Sequence, residues 1–428
     1  PTYDPWAWII WGREIVHLDL VTTRGPSWKP LPAIFTMVFS LTGDAAAPQL
    51  WLVVARAGGL LGLVFAFRVA RRLGGTVAGV AAASALALAP WLFKNAALGN
   101  SEGLMAACVL GGVDRHLAGA RRQAFLLGLA AALLRPEAWP FFGLYGAWLV
   151  WRERETIALV AAGFASLPLL WLGPELWGSG NFNRASERAQ KPNPNSPAFD
   201  DHPAVAVLRN AGDMVSWPVV AGFVLVGLGL VVGRPATIGR RRTVLVLMAV
   251  ALAWLGIVAF MTSHGFSGNQ RYLVMPVTLG VVVAAVGVGW VATELRRFPP
   301  YAMLGAAVLV ALAFSAPYWN GMSRMLVNLG YQGRIHADLE RVIAEAGGAQ
   351  RIRACGPATT GAFLVPSVAW ELGLHAKDVG LTPRRPGVVF RVSTVPGSNP
   401  VPPIATLGPG RIDTLAQRGH WRLLGACA

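Results

Sequence analysis

Tyr3-Asp4-Pro5-Trp6-Ala7-Trp8, running on to Pro26-Ser27-Trp28-Lys29-Pro30-Leu31-Pro32, is the stretch on which the reading of this chain turns. It is aromatic and carries isolated charges, whereas most of the chain from Trp51 to residue 319 is long apolar runs. Asp-Pro is a helix-start signal: the carboxylate can cap the first turn, and Pro fits the first helical position, where no amide hydrogen is needed. Trp8, Trp11, Ile15 and Leu18 then share one face, with Arg13, Glu14 and His17 on another. The pattern predicts a helix of about four turns lying in a membrane interface, its Trp side in the headgroup region. Asp4 would then sit where a lipid headgroup meets water.

The totals agree with a membrane setting. The chain has 428 residues, of which 54% are hydrophobic and 14% charged, with a mean hydropathy of +0.49. That is too apolar for a soluble protein of this length and predicts a polytopic membrane protein. The formal charge of +16 lies largely in short loops between apolar segments, where it sets topology. No nucleic-acid recognition motif accompanies it, so nucleic acid is not an expected partner. The chain begins at Pro1, and whether a further span stands ahead of it is left open.

Basic clusters place the apolar segments. Residues 51–70 end at Arg68, Arg71 and Arg72, which puts residues 1–50 outside. Residues 76–93 return outward to Asn100-Ser101-Glu102, and 103–117 go back in to Arg115, Arg121 and Arg122. Residues 123–151 form two short apolar pieces broken at Arg135-Pro136-Glu137, read as a bent or re-entrant hairpin with the break at its apex. Residues 156–172 lead out to a polar loop, 173–216, that is either a lid or a disordered connector. Segments 217–233, 243–262, 272–292 and 301–319 alternate after it, with Arg234, Arg240 to Arg242, Arg296 and Arg297 inside. The expectation is about nine to ten crossings, or about ten to eleven with a preceding span.

Composition changes near Asn320, dividing the chain into a 1–50 external loop, a 51–324 multi-span domain and a 325–428 soluble α/β domain. In the last, 334–346 reads as an amphipathic helix, and Arg351–Cys355 and Val388–Val392 as short strands. Cys355 and Cys427 are its only cysteines, and an oxidising exterior permits a disulfide between them. Cys108 lies in a span and reads as packing.

Several residues are suited to chemistry. Asp4 either only caps its helix or also acts as a general base toward an incoming hydroxyl, since capping uses one oxygen. Arg271, at the start of a span, is either a phosphate partner or an interfacial snorkelling Arg. Lys29 and Arg24 are alternates on the loop beside Asp4. Glu102 either starts a helix or positions substrate. Arg135 and Glu137 are charges at an intramembrane break, read as substrate contacts or as an ion pair that holds the bend. His264 and Tyr272 flank Arg271. Asp200-Asp201-His202 has ligand-type residues, but adjacent residues in a polar loop are more often solvated.

An external acid just before an amphipathic helix, then many irregular spans and an external C-terminal domain, resembles the GT-C superfamily of lipid-linked-sugar glycosyltransferases. Asn100-Ser101-Glu102, Leu134-Arg135-Pro136-Glu137 and Gln270-Arg271-Tyr272-Leu273-Val274-Met275-Pro276 resemble segments of bacterial mannosyl- and arabinosyltransferases that use polyprenyl-phosphate sugars. The resemblance implies a polytopic α-helical membrane protein of GT-C type, with an interfacial helix in the first external loop and a small extracytoplasmic C-terminal α/β domain. It implies Asp4 as catalytic base in an inverting transfer from a polyprenyl monophosphate to a glycan, glycolipid or protein hydroxyl. It also implies a bacterial cytoplasmic-membrane location with the active site outside. Asp4 is followed by Pro5 rather than a second acid, a departure that disfavours a required divalent metal; no other cofactor is expected. The alternative class is a lipid-linked-sugar transporter or flippase, though no convincing internal repeat is seen; a glycan-binding scaffold is a third.

Overall fold

The computed structural model describes residues 1–232, 235–293, 299–403 and 412–427. The topology markers Arg234, Arg296 and Arg297 lie outside them.

The opening stretch forms α1 (Tyr3–Val16) and α2 (Pro30–Ser40). The Trp face of α1, expected in the headgroup region, is turned into protein instead. Trp8, Ile9, Ile10 and Trp11 are all fully buried and Trp6 nearly so, because α1 is packed on more than one side by protein. Its start also differs: the N-cap is Thr2, without a side-chain cap bond, and Asp4 lies inside the first turn. The Asp4 carboxylate is drawn instead into an ion pair with Arg271.

The apolar body runs through α3 (Ala47–Gly74), α4 (Thr76–Ala87), α5 (Pro90–Ala97), α6 (Glu102–Leu117), α7 (Arg121–Ala132), α8 (Trp139–Arg152) and α9 (Ile157–Ser179). The chain then makes α10 (Arg184–Ala189) and α11 (Pro203–Asp213), so the 173–216 region is largely helical rather than a connector. Four apolar helices follow: α12 (Trp217–Val232), α13 (Pro235–Ser263), α14 (Gln270–Ala292) and α15 (Pro300–Ser315). Among the described residues, five helices are long and apolar enough to cross a membrane, or seven if each bent pair is one span. The nine or ten expected crossings are not reached on that measure, because 103–117 and the two pieces of 123–151 become helices of 16, 12 and 14 residues. The bent pairs are α4–α5, at 62°, and α11–α12, at 99°. Pro90 and Pro218 follow the breaks and disfavour helical backbone in the residue before them.

The membrane core centres on α14, almost wholly buried, with α3, α4, α6 and α12 around it. Glycines permit the closest approaches. A Cβ at Gly222 of α12 would lie 2.5 Å from the Ala284 carbonyl oxygen, and one at Gly287 of α14 would lie 2.4 Å from that of Gly222. Small residues let membrane helices meet backbone to backbone.

One long helix, α16 (Trp319–Glu345), leads to the C-terminal unit: α17 (Gly348–Cys355), α18 (Val365–Glu371), β1 (Ala358–Thr359), β2 (Gly387–Val392), β3 (Asp413–Arg418) and β4 (Trp421–Ala426). The sheet order is β1-β2-β4-β3, with β1 parallel to β2 and the other pairs antiparallel. Val388–Val392 is a strand as expected, whereas Arg351–Cys355 closes a helix. Cys355 and Cys427 are bonded. Val368, Phe390, Trp421 and Leu423 share a single apolar core with Trp6, Trp8 and Trp11 of α1. The first helix is thus the seam between the membrane body and the C-terminal sheet.

Candidate active site

Three separated pieces of chain meet at the start of α1. Thr2 donates its amide to Leu98 O at 3.2 Å and its hydroxyl to Asn100 Oδ1 at 3.1 Å, tying the first turn of α1 to the α5–α6 turn. That turn needs Gly99 at φ +83°, and the Trp51 indole holds it by donating to Gly99 O at 2.8 Å. Glu102 opens α6 and Arg271 is the second residue of α14, so both charges point to the same level. Arg135 precedes Pro136 and is accordingly extended, at φ −150° and ψ 130°, which breaks α7 from α8 and releases the side chain inward.

Glu102 Oε1 is the hub. It accepts from Arg135 Nη2 at 2.8 Å and from Arg271 Nε at 2.7 Å. Arg271 Nη1 also donates to Asp4 Oδ2 at 2.8 Å. Arg135 Nη1 lies 3.7 Å from Glu137 Oε1, with its guanidinium carbon 4.9 Å from the Tyr272 ring centre. Lys29, just before α2, donates to Ser101 Oγ at 3.1 Å and sits 5.2 Å from the Trp8 ring. Burial, together with the like charges of Arg135 and Arg271, lowers the Lys29 ammonium to about 7 despite Glu102 and Asp4.

This network borders a cavity of about 500 Å³. Asp4, Lys29, Arg135, Glu137, Arg271 and Tyr272 line it directly. Its lining also includes the apolar side chains Trp139, Trp171, Leu172, Phe182, Met261 and Phe266. Two carboxylate oxygens at the network, Glu102 Oε2 and Glu137 Oε2, are buried without a hydrogen-bond partner. A buried acceptor left open costs free energy, and Glu137 is one of the residues that line the cavity.

Two of the expected residues are not brought here. Arg24 donates to Val379 O of the C-terminal unit at 3.3 Å, because the first loop is held from that side. His264 is exposed and its Nδ1 is 2.8 Å from Phe260 O, one helical turn back. Neither lines the cavity. Asp200-Asp201-His202 forms an exposed turn, with the His202 amide donating to Asp200 Oδ1 at 3.0 Å; among the described residues, no three His, Cys, Asp or Glu side chains form a group able to hold a metal ion.

The sequence reading missed Asn100 and Ser101 as partners of the charged groups, and missed Arg188 and Lys191, which line the cavity from α10 and just beyond it. The signal for the latter pair was present in Arg184-Ala185-Ser186-Glu187-Arg188, a short charged helix inside the loop.

No family model matches the chain, and no curated protein matches it. Solved structures do. The fold is similar to that of ArnT. The structure of ArnT from Cupriavidus metallidurans in the apo state superposes with a TM-score of 0.61 at 16% identity. The one bound to undecaprenyl phosphate gives 0.59 at 15%. Each comparison covers 98% of this chain and 93% of the other. The likeness to ArnT is therefore one of whole architecture, and the multi-helix body with a small C-terminal α/β unit expected from the sequence is the fold found.

Proposed function

We propose that this protein is a glycosyltransferase of the outer face of a bacterial cytoplasmic membrane, moving a sugar from a polyprenyl monophosphate to an acceptor hydroxyl with inversion. The observation that carries the reading is the Asp4–Arg271–Glu102–Arg135 network at the rim of a cavity lined by both charged and apolar side chains. A polyprenyl-phosphate sugar likewise joins an anionic group to an apolar chain, and a protein of similar fold has been solved with undecaprenyl phosphate bound.

The roles follow from the chemistry. Asp4 Oδ2 is engaged by Arg271, while Oδ1 has no hydrogen-bond partner among the described residues and is available to take the acceptor's proton. The acceptor oxygen forms its bond to the anomeric carbon as the bond from that carbon to the phosphate oxygen breaks. The leaving polyprenyl phosphate keeps its negative charge and calls for cations rather than a proton. Arg271 and Lys29 stand beside Asp4 for this purpose, with Arg188 and Lys191 further along the wall. Three carboxylates, Asp4, Glu102 and Glu137, face five cations here, so an anionic group improves the balance. Tyr272 and Glu137, which line the cavity, contact the sugar. This reading assigns the leaving group's charge to side chains and calls for no divalent metal. The donor sugar is of mannose or arabinose type, on the sequence resemblance, and the acceptor is a glycan, glycolipid or protein.

The test is a transfer assay on purified protein, offering polyprenyl-phosphate mannose and arabinose separately, with and without EDTA, beside Asp4→Asn. Turnover with one donor is expected to be unaffected by EDTA and to fall by about a thousandfold or more in the variant, while the variant still binds the donor. Full activity in Asp4→Asn would remove Asp4 as the base.

A further inference from the structure

At the far end of α3 from the candidate site, three arginines converge on one carboxylate. Asp114 of α6 is fully buried. Its Oδ1 accepts from Arg72 Nε at 2.8 Å. Its Oδ2 accepts from Arg68 Nε at 3.2 Å and from Arg115, whose Nε lies at 3.1 Å. The arginine side chains remain open to the surroundings, at 42%, 38% and 29% relative exposure for Arg68, Arg72 and Arg115. Nearby, Arg121 pairs with Glu153 and Arg122 with Glu155. Around Asp114 one negative charge stands against three positive ones. Arg240 adds to the excess nearby, donating to Leu73 O at 3.3 Å.

The depth of this cluster identifies its ligand. Trp51 of α3 marks the level of the candidate site through its bond to Gly99. Arg68 and Arg72 follow 17 and 21 residues later on the same helix, about 26 to 32 Å along it. That is roughly one hydrocarbon thickness, so the cluster lies at the opposite leaflet's headgroups. Leu60 and Val64, exposed by 66% and 49%, stand two turns and one turn before Arg68 on the same face of α3. They offer an apolar track that leads from the cluster into the bilayer.

We propose that Arg68, Arg72 and Arg115, gathered on Asp114, seat the phosphate of one anionic phospholipid whose acyl chains lie along the exposed face of α3. Basic clusters between helices at a membrane surface favour anionic headgroups. Asp114 holds the three guanidinium groups in place before the lipid arrives, which lowers the cost of ordering them. The inference concerns this face of the membrane domain alone and does not depend on the transfer reaction.

The experiment uses the full chain in detergent, titrated separately with phosphatidylglycerol, phosphatidylcholine and inorganic phosphate, with bound lipid counted by native mass spectrometry and Tm recorded. Phosphatidylglycerol is expected to bind saturably and raise Tm, with phosphatidylcholine and inorganic phosphate doing neither. In Arg68→Gln/Arg72→Gln, where Arg115 still neutralises Asp114, phosphatidylglycerol affinity is expected to drop about tenfold or more. Equal response to the two lipids, an equal response to inorganic phosphate, or unchanged affinity in the double variant would each overturn the proposal. The lipid comparison on the unmodified chain decides the matter even if the variant does not fold.

Discussion

Lys29 is the residue whose charge its surroundings control most directly. Burial and two neighbouring arginines bring its ammonium from the usual 10.5 to about 7, so it is charged below that pH and neutral above it. A phosphate bound beside it favours the charged form and raises the pKa again. Donor binding therefore takes up a proton above about pH 7, and affinity is expected to fall as pH rises, by up to about tenfold per unit. Lys29→Arg stays charged throughout and is expected to flatten the profile. Measuring polyprenyl phosphate binding from about pH 6 to about pH 9 checks this; a flat profile for the unmodified protein would remove Lys29 from the phosphate's contacts. At this scale the individual charges were readable, since a lone Asp, Arg or Glu beside an apolar run stands out. Their pairing was not, because Asp4, Glu102 and Arg271 are 98 and 169 residues apart in turn and nothing local links them.

Among the elements, the crossing of α1 and α2 sets the geometry of the site. Thr36 of α2 donates its hydroxyl to Trp8 O at 2.7 Å, and Gly12 of α1 meets the same residue with no room for a side chain. A Cβ at Gly12 would fall 2.4 Å from the Thr36 carbonyl carbon. Gly12→Ala is expected to force the helices apart, costing about 1–3 kcal/mol, and to disturb Lys29 at the head of α2 as well. Gly143→Ala, where nothing lies within 4 Å, is the matched control and should leave Tm unchanged or slightly raised. Thermal unfolding of the two variants side by side tests it; equal Tm values would mean that the crossing is not tight. The first helix was legible from its Asp-Pro start and Trp spacing, whereas α2 was not read from the sequence. The surroundings of α1 were not: Trp8 and Trp11 looked like interfacial anchors because a Trp stripe reads alike whether its neighbour is a headgroup or another chain segment.

For the molecule as a whole, the C-terminal unit clamps the first loop from outside the membrane body. His375 bridges Glu14 and Asp19, at 2.7 and 3.1 Å, and Arg13 donates to Leu374 O at 3.0 Å. Trp370 packs on Trp6, with ring centres 6.1 Å apart. The Cys355–Cys427 bond closes a stretch of 72 residues that includes Trp370 and His375. On loop-closure entropy it contributes about 4 kcal/mol to that unit. Cys355→Ser/Cys427→Ser is expected to lower the Tm of the C-terminal unit and, through the shared core, to loosen α1 and reduce transfer. Calorimetry and limited proteolysis with and without reductant check both parts; an unchanged unfolding profile would show that the bond adds no stability.

The sequence by itself determined the class of molecule. Long apolar runs must be buried in lipid or protein, basic clusters order them, and an apolar-poor C-terminal stretch with two cysteines reads as a separate unit. Those properties are local in the chain, so they survive without coordinates. Only the tertiary structure decided that Arg271 joins Asp4 to Glu102, that Arg24 and His264 stand away from the cavity, and that α10 adds Arg188 and Lys191 to its wall. It also showed the Trp face of α1 sealed between two units instead of turned to headgroups. Each of these depends on which segments become neighbours in space, and in a chain whose spans are all similarly apolar, that choice is made by close contacts such as Gly12 on Thr36 and Gly287 on Gly222.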